Sequence, residues 1–65
     1  MRSMSNDMVE LHRGFRIVAC PSGKIWNWRI EHADETLVYE EVSNSVGPYE
    51  ALDLARLYVD TKLNG

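Results

Sequence analysis

Cysteine occurs once in the 65 residues, at Cys20, so no internal disulfide can staple the fold and packing alone must hold it. Long apolar runs are missing: nothing approaches the ~18 residues that a membrane-spanning helix needs. Residues Met1 to Glu10 are polar, with no apolar stretch behind Arg2, which predicts no secretory leader. Cations are in deficit, 7 Lys and Arg against 10 Asp and Glu, and the net charge of −3 opposes general attraction to phosphate backbones. Internal repeats, low-complexity stretches and Pro/Gly-rich linkers are absent too, which leaves a single domain. The expectation is a soluble, cytoplasmic protein.

What is present suits a small folded unit. Hydrophobic residues make up 45% of the chain, an ordinary share for a globular domain. So short a chain buries only about 60% of the surface it exposes when unfolded, and each large side chain therefore matters. The candidate core is Phe15, Ile17, Trp26, Trp28, Ile30, Leu37, Tyr39, Leu52, Ala55, Tyr58 and Val59. Each buried aliphatic or Phe side chain contributes roughly 1.5–3 kcal/mol. Charge is unevenly placed, with +3 in residues 1–30 and −6 in residues 31–65. Unless the halves interleave in space, that gives a bipolar surface suited to self-association or to an oppositely patterned partner.

Residues 1–7 lack periodicity and read as a flexible tail, leaving 8–65 as the domain. Met8 to Leu11 alternates weakly, with Val9 and Leu11 on one side, and Gly14 could act as a bulge that runs this segment into the next strand. Phe15 to Cys20 alternates cleanly: Phe15, Ile17 and Ala19 against Arg16, Val18 and Cys20. Pro21, lacking an N–H, ends it, and Pro21-Ser22-Gly23-Lys24 reads as a turn. In the next strand Trp26, Trp28 and Ile30 point one way, while Ile25, Asn27, Arg29 and Glu31 point the other. After the polar connection His32-Ala33-Asp34-Glu35 comes a third strand, Thr36 to Val42, with Leu37 and Tyr39 inward and Val38 outward. Ser43 to Val46 leaves the sheet, and Gly47-Pro48 opens a helix whose Ala51, Leu52, Ala55, Tyr58, Val59 and Leu63 form one apolar stripe. Asn64-Gly65 supplies the stop. The predicted fold is α+β: a three-stranded antiparallel meander with one C-terminal helix on one face, βββα in two layers.

Little here carries chemistry. Cys20 stands at a strand end with no base at a local spacing, and His12, Cys20 and His32 are scattered with no metal-ligand spacing. Neighbouring carboxylates such as Asp34-Glu35 and Glu40-Glu41 point to opposite faces of a strand. Glu50 and Asp53 sit near the positive end of the helix, where they favour the dipole. Ser22-Gly23-Lys24 lacks the glycines of a phosphate-binding loop. The reading is non-enzymatic, with no cofactor, no metal and no small-molecule substrate.

The turn glycine, the strand Trp26-Asn27-Trp28-Arg29-Ile30, a third strand and the helix start Tyr49-Glu50-Ala51 together resemble the YegP-like family of short bacterial proteins, over about Phe15 to Thr61. The resemblance implies a sheet followed by a helix and, since that family has no established activity, no catalytic residues.

Two functional readings remain. The first is a non-catalytic protein-interaction module or homodimer that uses the outer sheet face, with Arg16, Val18, Ile25, Arg29 and Val38 as contact candidates, or an edge strand. The alternative is nucleic-acid binding through Arg13, Arg16, Lys24 and Arg29, which could grip phosphates from a sheet. Against it, the tryptophans share a parity with Ile30 and face the helix, and Arg16 and Arg29 have Glu31 and Glu40 as neighbours for charge pairs.

Overall fold

A computed structural model describes residues 6–63. It has four strands where three were expected: β1 (Met8–His12), β2 (Phe15–Ser22), β3 (Ile25–Glu31) and β4 (Leu37–Ser45). They form one antiparallel sheet in the order β1-β2-β3-β4. Helix α1 (Pro48–Tyr58) follows and runs directly into a π-helical turn, Val59–Leu63. Most of the expected tail and the Asn64-Gly65 stop lie outside the described residues.

The extra strand arises at Arg13-Gly14. Gly14 does not act as a bulge within one long strand. Instead His12 pairs with Phe15, and Arg13 (φ 52°) and Gly14 (φ 86°) are both left-handed, the pattern of a type I′ hairpin loop. Its backbone twist matches that of the strands, so the chain reverses and Met8–His12 becomes an edge strand. Nothing lies within 4 Å of a Cβ built on Gly14, so the cost of a side chain there is conformational only. Gly14→Ala should therefore lower stability by about 1–2 kcal/mol, and Gly14→Asn by less, because asparagine tolerates this region. Urea denaturation midpoints check both, and equal losses would remove the left-handed requirement.

Three other sequence expectations are corrected. Strand β2 does not stop at Pro21 but pairs on through Pro21↔Trp26 to Ser22↔Ile25. Strand β1 reaches only as far as Ala19, so Pro21 has one flank without a ladder neighbour, where a missing N–H costs nothing. Strand β4 does not end at Val42. Irregular pairing carries it to Ser45, where the Ser43 hydroxyl donates to the Trp26 carbonyl (2.6 Å) and the Ser43 N–H donates to Asn27 Oδ1 (3.2 Å). Leu37 is not core: it is 54% exposed, while Val38 packs against the core. Ile30 pairs with Tyr39 but Glu31 pairs with Leu37, so Val38 is one residue too many, and that bulge turns Leu37 outward.

The strand parity of β2 and β3 stands as expected, and so does the helix stripe as far as Val59. Leu63 does not join it but is exposed at the end of the π-helical turn, whose wider winding breaks the 3.6-residue spacing. Ile17, Ala19, Trp28 and Ile30 meet Ala51, Leu52, Ala55 and Val59 in one buried cluster, with Phe15, Trp26, Tyr39 and Tyr58 around it. Tyr39 and Tyr58 stack with ring centroids 4.3 Å apart, and Trp28 lies against both, at 5.7 and 5.8 Å.

Candidate interaction surfaces

Helix α1 covers one face of the sheet; the other face has no helix on it. The register builds that bare face in rungs. One rung runs Leu11, Arg16, Glu31, Leu37 across all four strands, and the next runs Val9, Val18, Arg29, Glu40. Arg16 Nε donates to Glu31 Oε1 (2.9 Å) and Arg29 Nε to Glu31 Oε2 (2.6 Å), so one carboxylate holds both arginines. Glu31 is only 7% exposed although no helix lies over it. Burial pushes its pKa up, but the hydrogen bonds and charges of Arg29 and Arg16 together outweigh that and hold it below the usual carboxylate range. Glu40 is exposed beside this triad and, although paired with Arg29 in the ladder, forms no ion pair with it.

The candidate contact residues divide. Arg16 and Arg29 come together on Glu31, and Ile25 is half-buried on the same face. Val18 is fully buried between Val9 and Arg29, so it offers no contact surface. Val38 sits on the bulge and is packed inward. Leu11 (71% exposed) and Leu37, which end the triad's rung, are the exposed aliphatics that this face presents instead. The sequence put Val9 and Leu11 on one side of their segment; which face that is, and what they meet there, depended on a hairpin that parity does not specify.

The nucleic-acid set does not converge. Arg13 lies in the β1–β2 loop and donates through Nε to Asp60 Oδ1 (2.7 Å) after the helix. Lys24 lies in the β2–β3 loop, at the far end of the eight-residue β2, about 25 Å of strand away. Arg16 and Arg29 share one carboxylate, Glu31, which offsets half of their charge and holds both side chains against the sheet. The basic and acidic halves of the sequence interleave in space: Arg13, Arg16 and Arg29 of the first pair with Asp60 and Glu31 of the second, and Arg56 of the second pairs with Glu10 of the first.

Cys20 accepts a hydrogen bond from Arg29 Nη1 (2.8 Å). Burial pushes its thiol pKa up, and the Arg29 charge only partly offsets it, so the protonated thiol is favoured over a nucleophilic thiolate. Among the described residues no cluster of His, Cys, Asp and Glu could hold a metal ion, and no helix is long and apolar enough to cross a membrane. His12 donates through Nε2 to Asp60 Oδ1 (2.9 Å), and the His32 ring lies against Phe15, at 5.9 Å between centroids.

A second apolar feature went unread in the sequence. On the flank of α1 that overlooks Trp28, a groove of about 240 Å³ is lined by Trp28, Leu54, Leu57, Tyr58, Thr61 and Lys62. The Trp28 indole N–H is buried without a hydrogen-bond partner among the described residues. Leu54 and Leu57 stand at helical spacing beside the core stripe, and that spacing is the signal that could have found them.

Comparison with protein-family models finds no match, and neither curated proteins nor solved structures give one.

Proposed function

We propose that the protein is a non-catalytic, cytoplasmic protein-interaction module whose working surface is the helix-free face of its sheet. The observation that supports this is the rung Leu11–Arg16–Glu31–Leu37, with an exposed leucine at each end and a central carboxylate that also holds Arg29 of the neighbouring rung. The ion pairs pre-order the arginines, so a partner meets donors already in place and little side-chain entropy is lost on contact. The aliphatic ends supply area to be buried, and the spare guanidinium donors of Arg16 suit a partner that presents carboxylates or backbone carbonyls. The resemblance to YegP-like proteins is compatible with a role that needs no catalytic group.

The test is an amide NMR spectrum of the labelled protein, taken in buffer, in lysate of the producing cell, and with random duplex DNA at low salt. Lysate should broaden Val9, Leu11, Arg16 and Leu37 selectively, Leu37→Glu should suppress that broadening, and DNA should shift nothing. An unchanged spectrum in lysate overturns the reading. Salt-sensitive shifts at Arg13 and Lys24 with DNA would replace it with the nucleic-acid alternative.

A further inference from the structure

Helix α1 is held very differently along its two flanks. On the β1 side Arg56 donates through Nε and Nη2 to the Glu10 carboxylate (3.0 and 2.7 Å). Just beyond the helix, Asp60 takes His12 (2.9 Å) and Arg13 (2.7 Å). That flank is closed by ions. On the opposite flank no ion pair forms among the described residues: Leu54, Leu57, Tyr58 and Thr61 recur at i, i+3, i+4 and i+7 over Trp28, with Lys62 at the edge. Leu57 is 56% exposed and Leu54 39%. Thr61 spends its hydroxyl on the Leu57 carbonyl (2.8 Å), so it adds no free polar group to the stripe. The cause is width. Four strands span roughly 14 Å between outer axes, and a helix is about 10 Å across with its side chains, so one helix seated over β2 and β3 leaves the layer open on the flank above Trp28.

We propose that this open flank is a homodimer surface, on which α1 of a second copy of this chain lies antiparallel. The pattern of the stripe favours a copy of itself over another occupant. A twofold axis passing midway between Leu54 and Leu57 sets Leu54 of each chain against Leu57 of the other. The same axis brings Glu50 of one chain to the level of Thr61 of the other, one residue from Lys62. Lys62 makes no ion pair among the described residues, and Glu50 is exposed, with its carboxylate accepting only the Val46 N–H (2.9 Å). Apolar centre and charged ends are thus both self-complementary, as an isologous interface requires. One helix with its terminal turn spans about 24 Å, so the contact falls in the small-interface class and the dimer dissociates in the micromolar to millimolar range. The inference does not depend on the sheet-face reading, since it uses the opposite side of the molecule.

Sedimentation equilibrium from micromolar to millimolar concentration tests it, with far-UV circular dichroism confirming that each variant is folded. The mass should approach twice that of the monomer. Leu57→Glu should weaken association by at least about tenfold, since it sets two carboxylates in the apolar centre of each dimer. Glu50→Lys and Lys62→Glu should each weaken it several-fold, and the double exchange should restore it. A monomer at millimolar concentration overturns the proposal. So does association that survives Leu57→Glu but is lost in Leu37→Glu, which would move the contact to the sheet face. Failure of the folded double exchange to recover overturns the antiparallel arrangement.

Discussion

Trp28→Ala is expected to leave the domain largely unfolded at room temperature, while Trp26→Ala leaves it folded with reduced stability. Trp28 is 6% exposed and belongs to the central cluster, whereas Trp26 is half-buried at its margin. Truncating a fully packed tryptophan costs roughly 3–5 kcal/mol, through lost transfer energy and the cavity left behind. A domain of this length has about 3–10 kcal/mol in total to lose. The cavity cannot collapse cheaply here, because the Trp28 ring also seats Tyr39 and Tyr58, whose mutual stacking depends on it. Each variant keeps one indole, so urea denaturation followed by tryptophan fluorescence reads both. Equal losses at the two positions would mean that helix and sheet do not enclose Trp28 as described.

Removing Glu31 carries the second large effect, on stability and on its dependence on acid. Glu31→Ala leaves Arg16 and Arg29 facing each other at the centre of a sheet with no anion between them. A lost carboxylate between fully buried cations would cost 3–5 kcal/mol, but both arginines retain about a quarter of their side-chain exposure, so about 1–3 kcal/mol is expected. Glu31 titrates lower in the folded chain than in the unfolded one, and so does Glu10, whose carboxylate the Arg56 hydrogen bonds hold down. Their stabilisation is therefore complete above the unfolded carboxylate range, roughly pH 4–5, and is lost as pH falls through the lower folded values. Urea midpoints should drop between about pH 6 and pH 3, and Glu31→Gln should make that drop shallower. A wild-type-like slope in Glu31→Gln would show that this carboxylate contributes nothing to acid sensitivity.

The elements whose side chains repeat with the backbone period were legible. Phe15 to Cys20 and Ile25 to Glu31 alternate because strand side chains switch faces at every residue, and Ala51, Leu52, Ala55 and Val59 align because a helix turns every 3.6 residues. Departures from periodicity were not legible. Nothing in the local pattern around Thr36 to Tyr39 announces that Val38 is one residue too many, since the bulge is defined against β3, a different stretch of chain. Pro21 tells the same story, because whether a proline is tolerated in a strand depends on which neighbour that strand has at that level. The candidate site shared this limit. Arg16 and Arg29 were visible as outer-face cations, but that both would close on Glu31 follows from register, and register set Val18 beneath them.

By itself the sequence determined the α+β class, the apolar faces of β2, β3 and the helix, and most of the core. It did so because burial needs apolar atoms at fixed spacing, and spacing is a property of the chain. Tertiary structure alone decided the number of strands, the sidedness of Leu37 and Val38, the partners of each arginine and the open flank of the helix. Those depend on which distant residues meet, and on a single helix being too narrow for the sheet beneath it.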